Sequence, residues 1–241
     1  MKRVLVAVLV LGVMVSGAFA ASNEVNSVNV VGFQNLDIAS EGYTMVAAPF
    51  NSLTGSNSVS EMIGDALTQG NTKAEADNIL FFDPVEQKYI TIWKSPIGWL
   101  NNVTPTTQEF WTARGFWVRT SQSSNQILNV AGDVPLANST TQTVFEGYNL
   151  VAYPYPANVV LTNTDLHAKA TQGNTKLQAD NLMKYDSAEQ KYKSYWKSPI
   201  GWLDNVTPVP DLELKQGEAF FFLRRTGNGS FSWVENRPYS L

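Results

Sequence analysis

A long internal repeat constrains this chain more than any other feature. Thr68 to Pro105 reads TQGNTKAEADNILFFDPVEQKYITIWKSPIGWLNNVTP, and Thr171 to Pro208 reads TQGNTKLQADNLMKYDSAEQKYKSYWKSPIGWLDNVTP. The two segments align without a gap, and most of their positions are identical. A repeat of this length indicates that one supersecondary unit has been duplicated. We therefore expect two similar folding units, and any site inside the shared segment should occur twice.

The resemblance between the two halves extends beyond the shared segment. Asn29-Val-Val-Gly32 matches Asn129-Val-Ala-Gly132, and Glu41-Gly-Tyr43 matches Glu146-Gly-Tyr148. Each unit then has about 100 residues, an ordinary length for a domain. The predicted division is a signal peptide (1–20), a disordered lead (21–28), β repeat 1 (29–131) and β repeat 2 (132–241).

The N-terminus has the pattern of a secretory signal peptide. Lys2 and Arg3 precede an apolar run from Val4 to Val15, and Ala18-Phe19-Ala20 is an A-x-A cleavage site. The run is too short to span a membrane, and no other stretch approaches the roughly 18 apolar residues of a span. We expect a protein secreted by way of this peptide, at an extracellular or outer-surface location, with the periplasm as the alternative.

Charge and cysteine content exclude several classes of function. The formal net charge is −4 at pH 7, and loss of Lys2 and Arg3 with the leader makes it more negative. Nucleic acids and anionic membranes need a basic face, so neither is expected as a partner. The chain has no cysteine, which excludes disulfides, thiolate metal sites and cysteine nucleophiles. Its sequence gives no reason to expect a cofactor.

Most of each unit is predicted to be β-structure. Asn78 to Asp83 and Lys88 to Trp93 flank a four-residue turn, as do Asn181 to Asp186 and Lys191 to Trp196, and both pairs have the pattern of hairpins. Phe116 to Thr120 and Phe220 to Arg224 are predicted aromatic strands, since short apolar runs of this kind between turn residues are typical of strands.

One short helix is predicted in each unit. Ser58-Val-Ser-Glu61 has the form of a capping box, and Thr162-Asn-Thr-Asp165 is a similar start. Gly70 and Gly173 are predicted to end these helices as left-handed caps. The fold class is therefore mainly β, with two similar lobes, each a β-sandwich or partly open barrel of about 100 residues with one short helix.

The order of these motifs resembles a tandem β-rich module of secreted and cell-surface proteins in environmental bacteria. Its usual marks are a GWNL-[IV]-S-x-P strand and a later PGxGFW or PGKGYW strand. The first mark corresponds to Gly42-Tyr-Thr-Met-Val-Ala-Ala-Pro49 and Gly147-Tyr-Asn-Leu-Val-Ala-Tyr-Pro154. The second corresponds to Ala113-Arg-Gly-Phe-Trp117 and Gly217-Glu-Ala-Phe-Phe221, both without the usual proline. The resemblance implies a non-catalytic module of surface assemblies and brings no catalytic residues.

The most specific pattern in the repeat is Trp-Lys-Ser-Pro-Ile-Gly-Trp. Its candidate ligand-binding residues are Trp93, Lys94, Trp99, Trp196, Lys197 and Trp202. Exposed indole faces would offer apolar contact to sugar rings, and the lysines would offer hydrogen-bond donors. The competing interpretation is that the indoles complete the core of each unit, because tryptophan is highly buried on average.

Duplicated carboxylates provide a second set of candidates. Asp83 with Glu86, and Asp186 with Glu189, could share a Ca²⁺ ion, although the calcium-loop pattern with its terminal glutamate is absent. Suitably spaced carboxylates, with Asp77 and Asp180 also duplicated, could serve a glycoside hydrolase as acid and base. The structural alternative is that Asp83 and Asp186 cap the turns that follow them.

His167 is the only histidine, and it lies in the predicted helix of the second unit alone. A Ser-His-Asp triad would have to use it, and a duplicated enzyme site would need a second. We therefore expect His167 to be a surface or helix-packing residue, and we do not expect the protein to be an enzyme. The leading expectation is a secreted structural or adhesive module. A carbohydrate-binding protein using the Trp loops is the alternative, and a secreted glycoside hydrolase a weaker one. A polysaccharide or a cell-surface protein is the expected partner, with self-association.

Overall fold

A computed structural model of the protein describes residues 30–110 and 113–240. The predicted signal peptide and disordered lead lie outside the described residues. Within them the chain is mainly β-structure and forms two similar lobes, each with a six-stranded antiparallel sheet and one short α-helix. The predicted fold class is thereby confirmed in its sandwich form.

Lobe 1 contains the elements from β1 to β8. These are β1 Val31–Ile38, β2 Tyr43–Ala47, α1 Val59–Ile63, β3 Asn78–Asp83, β4 Lys88–Ser95, β5 Gly98–Asn101, β6 Thr104–Pro105, β7 Gly115–Arg119 and β8 Gln126–Asp133. Its large sheet has the order β2-β7-β3-β4-β5-β6, and β1 pairs with β8 in a separate two-stranded ribbon. Ribbon and helix cover one face of the sheet.

The core of lobe 1 lies between the ribbon and the sheet. Because side chains alternate between the two faces of a strand, every second residue points inward. Leu36 and Ile38 of β1 and Leu128 and Val130 of β8 pack against the inner face of the sheet. Inward-facing sheet residues include Ile79, Phe81, Ile92, Phe116 and Val118.

Lobe 2 repeats this arrangement. Its elements are β9 Ser139–Val144, β10 Gly147–Ala152, β11 Val159–Val160, a 3₁₀ turn Leu161–Asn163, α2 Asp165–Lys169, β12 Asn181–Asp186, β13 Lys191–Ser198, β14 Gly201–Asp204, β15 Thr207–Pro208, β16 Glu213–Leu214, β17 Ala219–Arg224 and β18 Phe231–Asn236. The large sheet has the order β10-β17-β12-β13-β14-β15. The ribbon is made by β9 and β18, so each lobe has its own.

The start of α2 and the ends of both helices differ from the sequence-based prediction. Ser58 caps α1 as expected, but the cap of α2 is Thr164, because the 3₁₀ turn occupies the preceding residues. Gly64 ends α1 at φ 56°, well before Gly70. Position 70 requires glycine for another reason: a Cβ there would lie 2.6 Å from the backbone nitrogen of Ala76. The prediction for Gly70 and Gly173 was therefore wrong.

The two lobes pack sheet against sheet through a shared apolar cluster. Its buried members are Met45, Ala47, Phe82 and Trp117 of lobe 1 and Leu150, Ala152, Ala219 and Phe221 of lobe 2. Corresponding residues of the two lobes face each other, as in a pseudo-twofold arrangement. Ala47 donates its N–H to the Gly217 carbonyl at 2.9 Å, and Ala152 donates to the Ala113 carbonyl at 2.9 Å.

Each lobe also covers an edge of the other lobe's sheet. The Gln87 amide donates to the Tyr148 carbonyl at 3.0 Å and accepts from the Tyr148 N–H at 2.9 Å. Gln190 makes the same pair of bonds with Tyr43, at 3.0 and 3.1 Å. We call these contacts the glutamine clamps. They satisfy backbone groups on the outer edges of β10 and β2, which would otherwise be open to pairing with another strand.

Candidate functional site

The four tryptophans of the repeat are buried. Trp93 and Trp196 are 8% and 9% exposed, and Trp99 and Trp202 are 6% and 1% exposed. The repeat segment is a tight hairpin in which Lys94 pairs with Trp99 and Ser95 pairs with Gly98. This pairing sends Trp93 and Trp99 to opposite faces of the sheet, so they do not share a surface. The solvent-facing platform that the carbohydrate hypothesis required of these side chains is not formed.

The duplicated lysines tie each helix end to the sheet. Lys94 Nζ donates to the Gly64 carbonyl at 2.8 Å and forms an ion pair with Asp65. Lys197 Nζ donates to the carbonyls of Ala170 and His167 at 2.8 and 2.5 Å. Their ammonium groups are therefore engaged within the fold.

The aspartates proposed as metal ligands cap the hairpin turns. Asp83 Oδ1 accepts from the N–H groups of Val85 and Glu86 at 2.9 and 3.0 Å, which hold the pKa of Asp83 below its usual value. Asp186 Oδ1 accepts in the same way from Ala188 and Glu189, both at 3.0 Å. Among the residues that the structure describes, no three His, Cys, Asp or Glu side chains come together as metal ligands.

The remaining duplicated carboxylates, Asp77 and Asp180, are completely buried. Asp180 accepts from the Thr171 N–H at 2.8 Å and from the Arg224 guanidinium at 2.6 Å. Asp77 accepts from the Thr68 N–H at 2.9 Å. Both therefore anchor the TQGNTK loop to the sheet, away from solvent and from any substrate.

His167 packs on its own lobe. Its Nδ1 accepts a hydrogen bond from Trp202 Nε1 at 2.9 Å. Burial, with the charge of nearby Lys197, lowers the pKa of His167 and favours the neutral imidazole that this bond requires. The residue is part of the helix–sheet packing, in accord with the sequence-based interpretation.

A groove lies open on the outer face of the first sheet. The TQGNTK loop covers one side of that face, where Trp93 packs with Ala76 and Leu100. Lobe 2 covers the other side at Met45 and Phe82. The strip between them stays open, and we call it the interlobe groove.

The interlobe groove consists of two adjoining cavities that share Tyr43 and Leu80. The first, of about 520 Å³, is lined by Tyr43, Leu80, Tyr89, Trp117, Tyr185, Gln190 and Tyr192. The second, of about 460 Å³, is lined by Tyr43, Lys73, Ala74, Asn78, Leu80, Thr91 and Arg119. Both volumes lie in the range of small-ligand sites.

Aromatic rings form the walls at the lobe boundary. Tyr43 lies edge-on to Trp117 with ring centroids 6.1 Å apart, and Tyr185 meets Trp117 at 4.7 Å. Tyr185 and Tyr192 are 5.0 Å apart. Tyr43, Tyr89 and Tyr192 are 41%, 46% and 48% exposed. These rings are held in place from behind while part of each faces solvent.

The polar atoms of this wall are tyrosine hydroxyls, which donate and accept hydrogen bonds, and the Trp117 indole N–H, which only donates. Burial raises the pKa of Tyr89, Tyr185 and Tyr192, so their hydroxyls stay protonated at neutral pH. The Trp117 indole N–H, which points toward the Tyr89 hydroxyl, acts to lower the pKa of Tyr89 but does not outweigh burial. Trp117 Nε1 is buried and makes no hydrogen bond of normal geometry to the residues described.

Three positions of the groove differ in polarity between the two lobes. The strand register matches Trp117 with Phe221, and Arg119 with Leu223, since each pair lies opposite the same neighbours. Tyr185 likewise corresponds to Phe82 of lobe 1. At all three positions the polar member lines the interlobe groove. The scaffold is doubled, but this set of polar groups occurs once.

Sequence reasoning missed the groove-lining residues. Tyr89 and Tyr192 are identical in the two copies and sit in the KY pair after each turn, which was a usable signal. The sequence around Tyr43 shows only the repeated Glu-Gly-Tyr motif, which indicates the start of a strand and no site. That these tyrosines converge across the lobe boundary depends on packing between distant segments, so the repeat pattern could not reveal it.

Comparison of the chain with protein-family models, curated proteins and solved structures found no match. Among the described residues, no helix is long and apolar enough to cross a membrane.

Proposed function

We propose that the protein is an exported, non-catalytic adhesive module that binds a polysaccharide in the interlobe groove. The observation that supports this most strongly is the wall of half-exposed tyrosines at the lobe boundary. We thus combine the adhesive module expected from the sequence with its carbohydrate-binding alternative, and place binding in this groove instead of at the buried tryptophans.

The chemistry of the groove suits a sugar chain. Sugar rings present apolar C–H faces that pack on aromatic rings, together with a rim of hydroxyl groups. The groove offers partly exposed rings of Tyr43, Tyr89 and Tyr192, with their hydroxyls as donors and acceptors. Because it is an open strip and not a closed pocket, a chain can enter from the side and extend beyond it.

Binding is favoured over hydrolysis by the residues that line the groove. Glycoside hydrolysis generally uses two carboxylates about 5 to 9 Å apart across the scissile bond. The residues that line the two cavities include no aspartate or glutamate. The duplicated carboxylates Asp77 and Asp83 are instead engaged by backbone N–H groups.

Two sequence features support the adhesive role. The predicted signal peptide would deliver the protein outside the cytoplasm, where polysaccharides are abundant. The order of motifs resembles a tandem module of secreted and surface proteins. A two-lobe scaffold with one groove would serve such an assembly as a unit that attaches a surface to a glycan matrix.

The matched pair Tyr43 and Tyr148 tests the proposal. They occupy corresponding positions and are similarly exposed, at 41% and 44%, but Tyr43 alone lines the groove cavities. Binding of xylan, laminarin, hydroxyethylcellulose and polygalacturonate should be measured by isothermal titration calorimetry. We expect Tyr43→Ala to weaken binding about tenfold, the effect of losing an anchoring aromatic contact, and Tyr148→Ala to leave it unchanged.

Three outcomes would contradict the proposal. The first is that none of the four polysaccharides binds the wild-type protein, and the second is that the two alanine variants weaken binding equally. Release of reducing ends by the purified protein would overturn the non-catalytic assignment. Thermal melting of both variants separates lost binding from lost folding, because each ring packs edge-on against one buried aromatic neighbour.

A further inference from the structure

We infer that the interlobe groove selects an acidic polysaccharide, and that a uronate carboxylate binds at Arg119 with Lys73 beside it. This inference rests on the proposed function and specifies its ligand class. It follows from the position of one guanidinium, the charge of the groove lining and the difference between the two lobes.

Arg119 is placed at the end of the groove by strand register. It lies opposite Tyr43 of β2 on one side and Asn78 of β3 on the other. Its Nη1 donates to the Ala74 carbonyl at 3.2 Å, which orients the guanidinium along the TQGNTK loop. A guanidinium has five donor N–H groups, so several remain for a ligand. Lys73 lies on the exposed rim of the same cavity.

The charge of this end of the groove is opposite to that of the whole protein. The chain has a formal net charge of −4, yet its two groove cavities are lined by Lys73 and Arg119 and by no carboxylate. Glu41 enters only in a smaller adjoining cavity of about 250 Å³, which also includes Arg119. Within the two groove cavities themselves, an anion bound between Arg119 and Lys73 would therefore meet no carboxylate.

The second lobe supplies an internal comparison. Its counterpart of Arg119 is Leu223, although Lys176 is retained as the counterpart of Lys73. Lobe 2 instead holds its loop with Arg225, whose guanidinium donates to the Ala179 and Lys176 carbonyls at 2.8 and 2.7 Å. Arg119 has no charged counterpart at its register in lobe 2, and it occurs in the lobe whose outer strip also contains Trp117. Aromatic and cationic groups thus line one continuous groove, with the rings at one end and the charges at the other.

A carboxylate fits this arrangement better than a neutral hydroxyl. The planar guanidinium can give two parallel N–H bonds to a carboxylate, and charged hydrogen bonds of this kind are roughly twice as strong as neutral ones. The aromatic wall would hold one sugar ring of the chain while the neighbouring uronate reaches Arg119. A sulfated glycan offers a different anion and is distinguished by the experiment.

The experiment uses defined oligosaccharides and matched variants. Tetragalacturonate, xylotetraose and a dextran sulfate oligosaccharide are titrated into the full-length mature protein by calorimetry. We expect tetragalacturonate to bind at least about tenfold more tightly than xylotetraose, the worth of a charged hydrogen bond. Arg119→Leu, which installs the lobe 2 residue, should abolish this preference, because the leucine side chain offers no donor to the carboxylate.

A second matched pair controls for the loop charge. Lys73→Ala should weaken tetragalacturonate binding, whereas Lys176→Ala, at the corresponding position of lobe 2, should not. Because Lys73 is exposed, its variant keeps the test valid even if Arg119→Leu lowers stability. Added NaCl should weaken binding of the acidic oligosaccharide and leave the neutral one unchanged, since exposed charges are screened by salt.

The outcomes separate this inference from the proposed function. Equal binding of both tetrasaccharides, lost on Tyr43→Ala, would overturn the acidic selectivity and leave glycan binding intact. Arg119-dependent binding of dextran sulfate without tetragalacturonate binding would overturn the carboxylate assignment. Absence of binding to every saccharide would overturn the proposed function and this inference together.

Discussion

At the scale of single residues, the two lobes differ in the hydrogen bonding of one buried tryptophan. Trp99 and Trp202 occupy the same hairpin position and are both buried. Trp202 Nε1 has a partner in His167 Nδ1 at 2.9 Å, whereas Trp99 Nε1 makes no hydrogen bond to the described residues. A buried donor without a partner carries an uncompensated desolvation cost. The only histidine therefore has a structural explanation.

This difference predicts unequal effects of the same substitution. Trp202→Phe leaves the His167 acceptor without its donor, while Trp99→Phe removes a donor that is already unsatisfied. We expect Trp202→Phe to lower the free energy of unfolding by about 1 kcal/mol more than Trp99→Phe, the usual net worth of one hydrogen bond. Urea denaturation at pH 7.5 measures both. Equal losses, or a larger loss in Trp99→Phe, would contradict the assignment.

At the scale of elements, the hairpin turns explain why Gln87 and Gln190 are the same in both copies. Each residue adopts a positive φ of 52°, a conformation in which glycine would be less strained. The glutamine side chain is needed there because it clamps the edge strand of the other lobe. The turns thus carry the side chains that join the lobes, and the edges of β2 and β10 are covered as a result.

Removing one clamp should weaken the protein and open a sheet edge. We expect Gln190→Ala to lower the free energy of unfolding by about 1 kcal/mol, because two hydrogen bonds to Tyr43 are lost on a partly exposed surface. The freed edge of β2 should increase self-association on heating. Differential scanning calorimetry and light scattering measure the two effects. Lys191→Ala, one residue away and outside the clamp, is the control and should match the wild type.

At the scale of the whole molecule, the two lobes meet where small residues allow close approach. A Cβ placed on Gly115 would lie 2.4 Å from the Ala219 Cβ, so the lobes touch almost backbone to backbone here. Around this point the apolar cluster joins the outer faces of the two sheets. The interlobe groove is bounded by this contact, and its shape depends on how closely the lobes approach.

A larger side chain at Gly115 should therefore separate the lobes. Valine is a good strand residue, so any loss in Gly115→Val reflects overpacking, which costs about 1–3 kcal/mol. The melting temperature should fall, and glycan binding should weaken because Tyr185 and Tyr192 move away from Tyr43. Ala131→Val, on the exposed face of β8, installs the same side chain where there is room for it and should change neither quantity. A stable Gly115→Val protein with unchanged binding would contradict this account of the groove.

Most of the local structure could be predicted from the sequence alone. The repeat established two similar lobes, and turn chemistry predicted the hairpins at Asp83 and Asp186, because a short side chain caps the backbone within three residues of itself. The Ser58 cap of α1 was predicted for the same reason. Helix ends were less well predicted, because Gly70 and Gly173 are required by contacts with the chain that follows them.

The solvent exposure of the duplicated side chains could not be read from the repeat, because it depends on how the strands and the lobes pack. Trp93 and Trp99 lie on opposite faces because a two-residue turn sets the register of β4 against β5. The interlobe groove exists because the TQGNTK loop and lobe 2 each cover part of the first sheet and leave Tyr43, Leu80 and Arg119 between them. Such a surface belongs to segments that meet only after folding. The repeat therefore predicted a doubled scaffold, whereas packing between the lobes brings Trp117, Arg119 and Tyr185, which the repeat does not duplicate, to one groove.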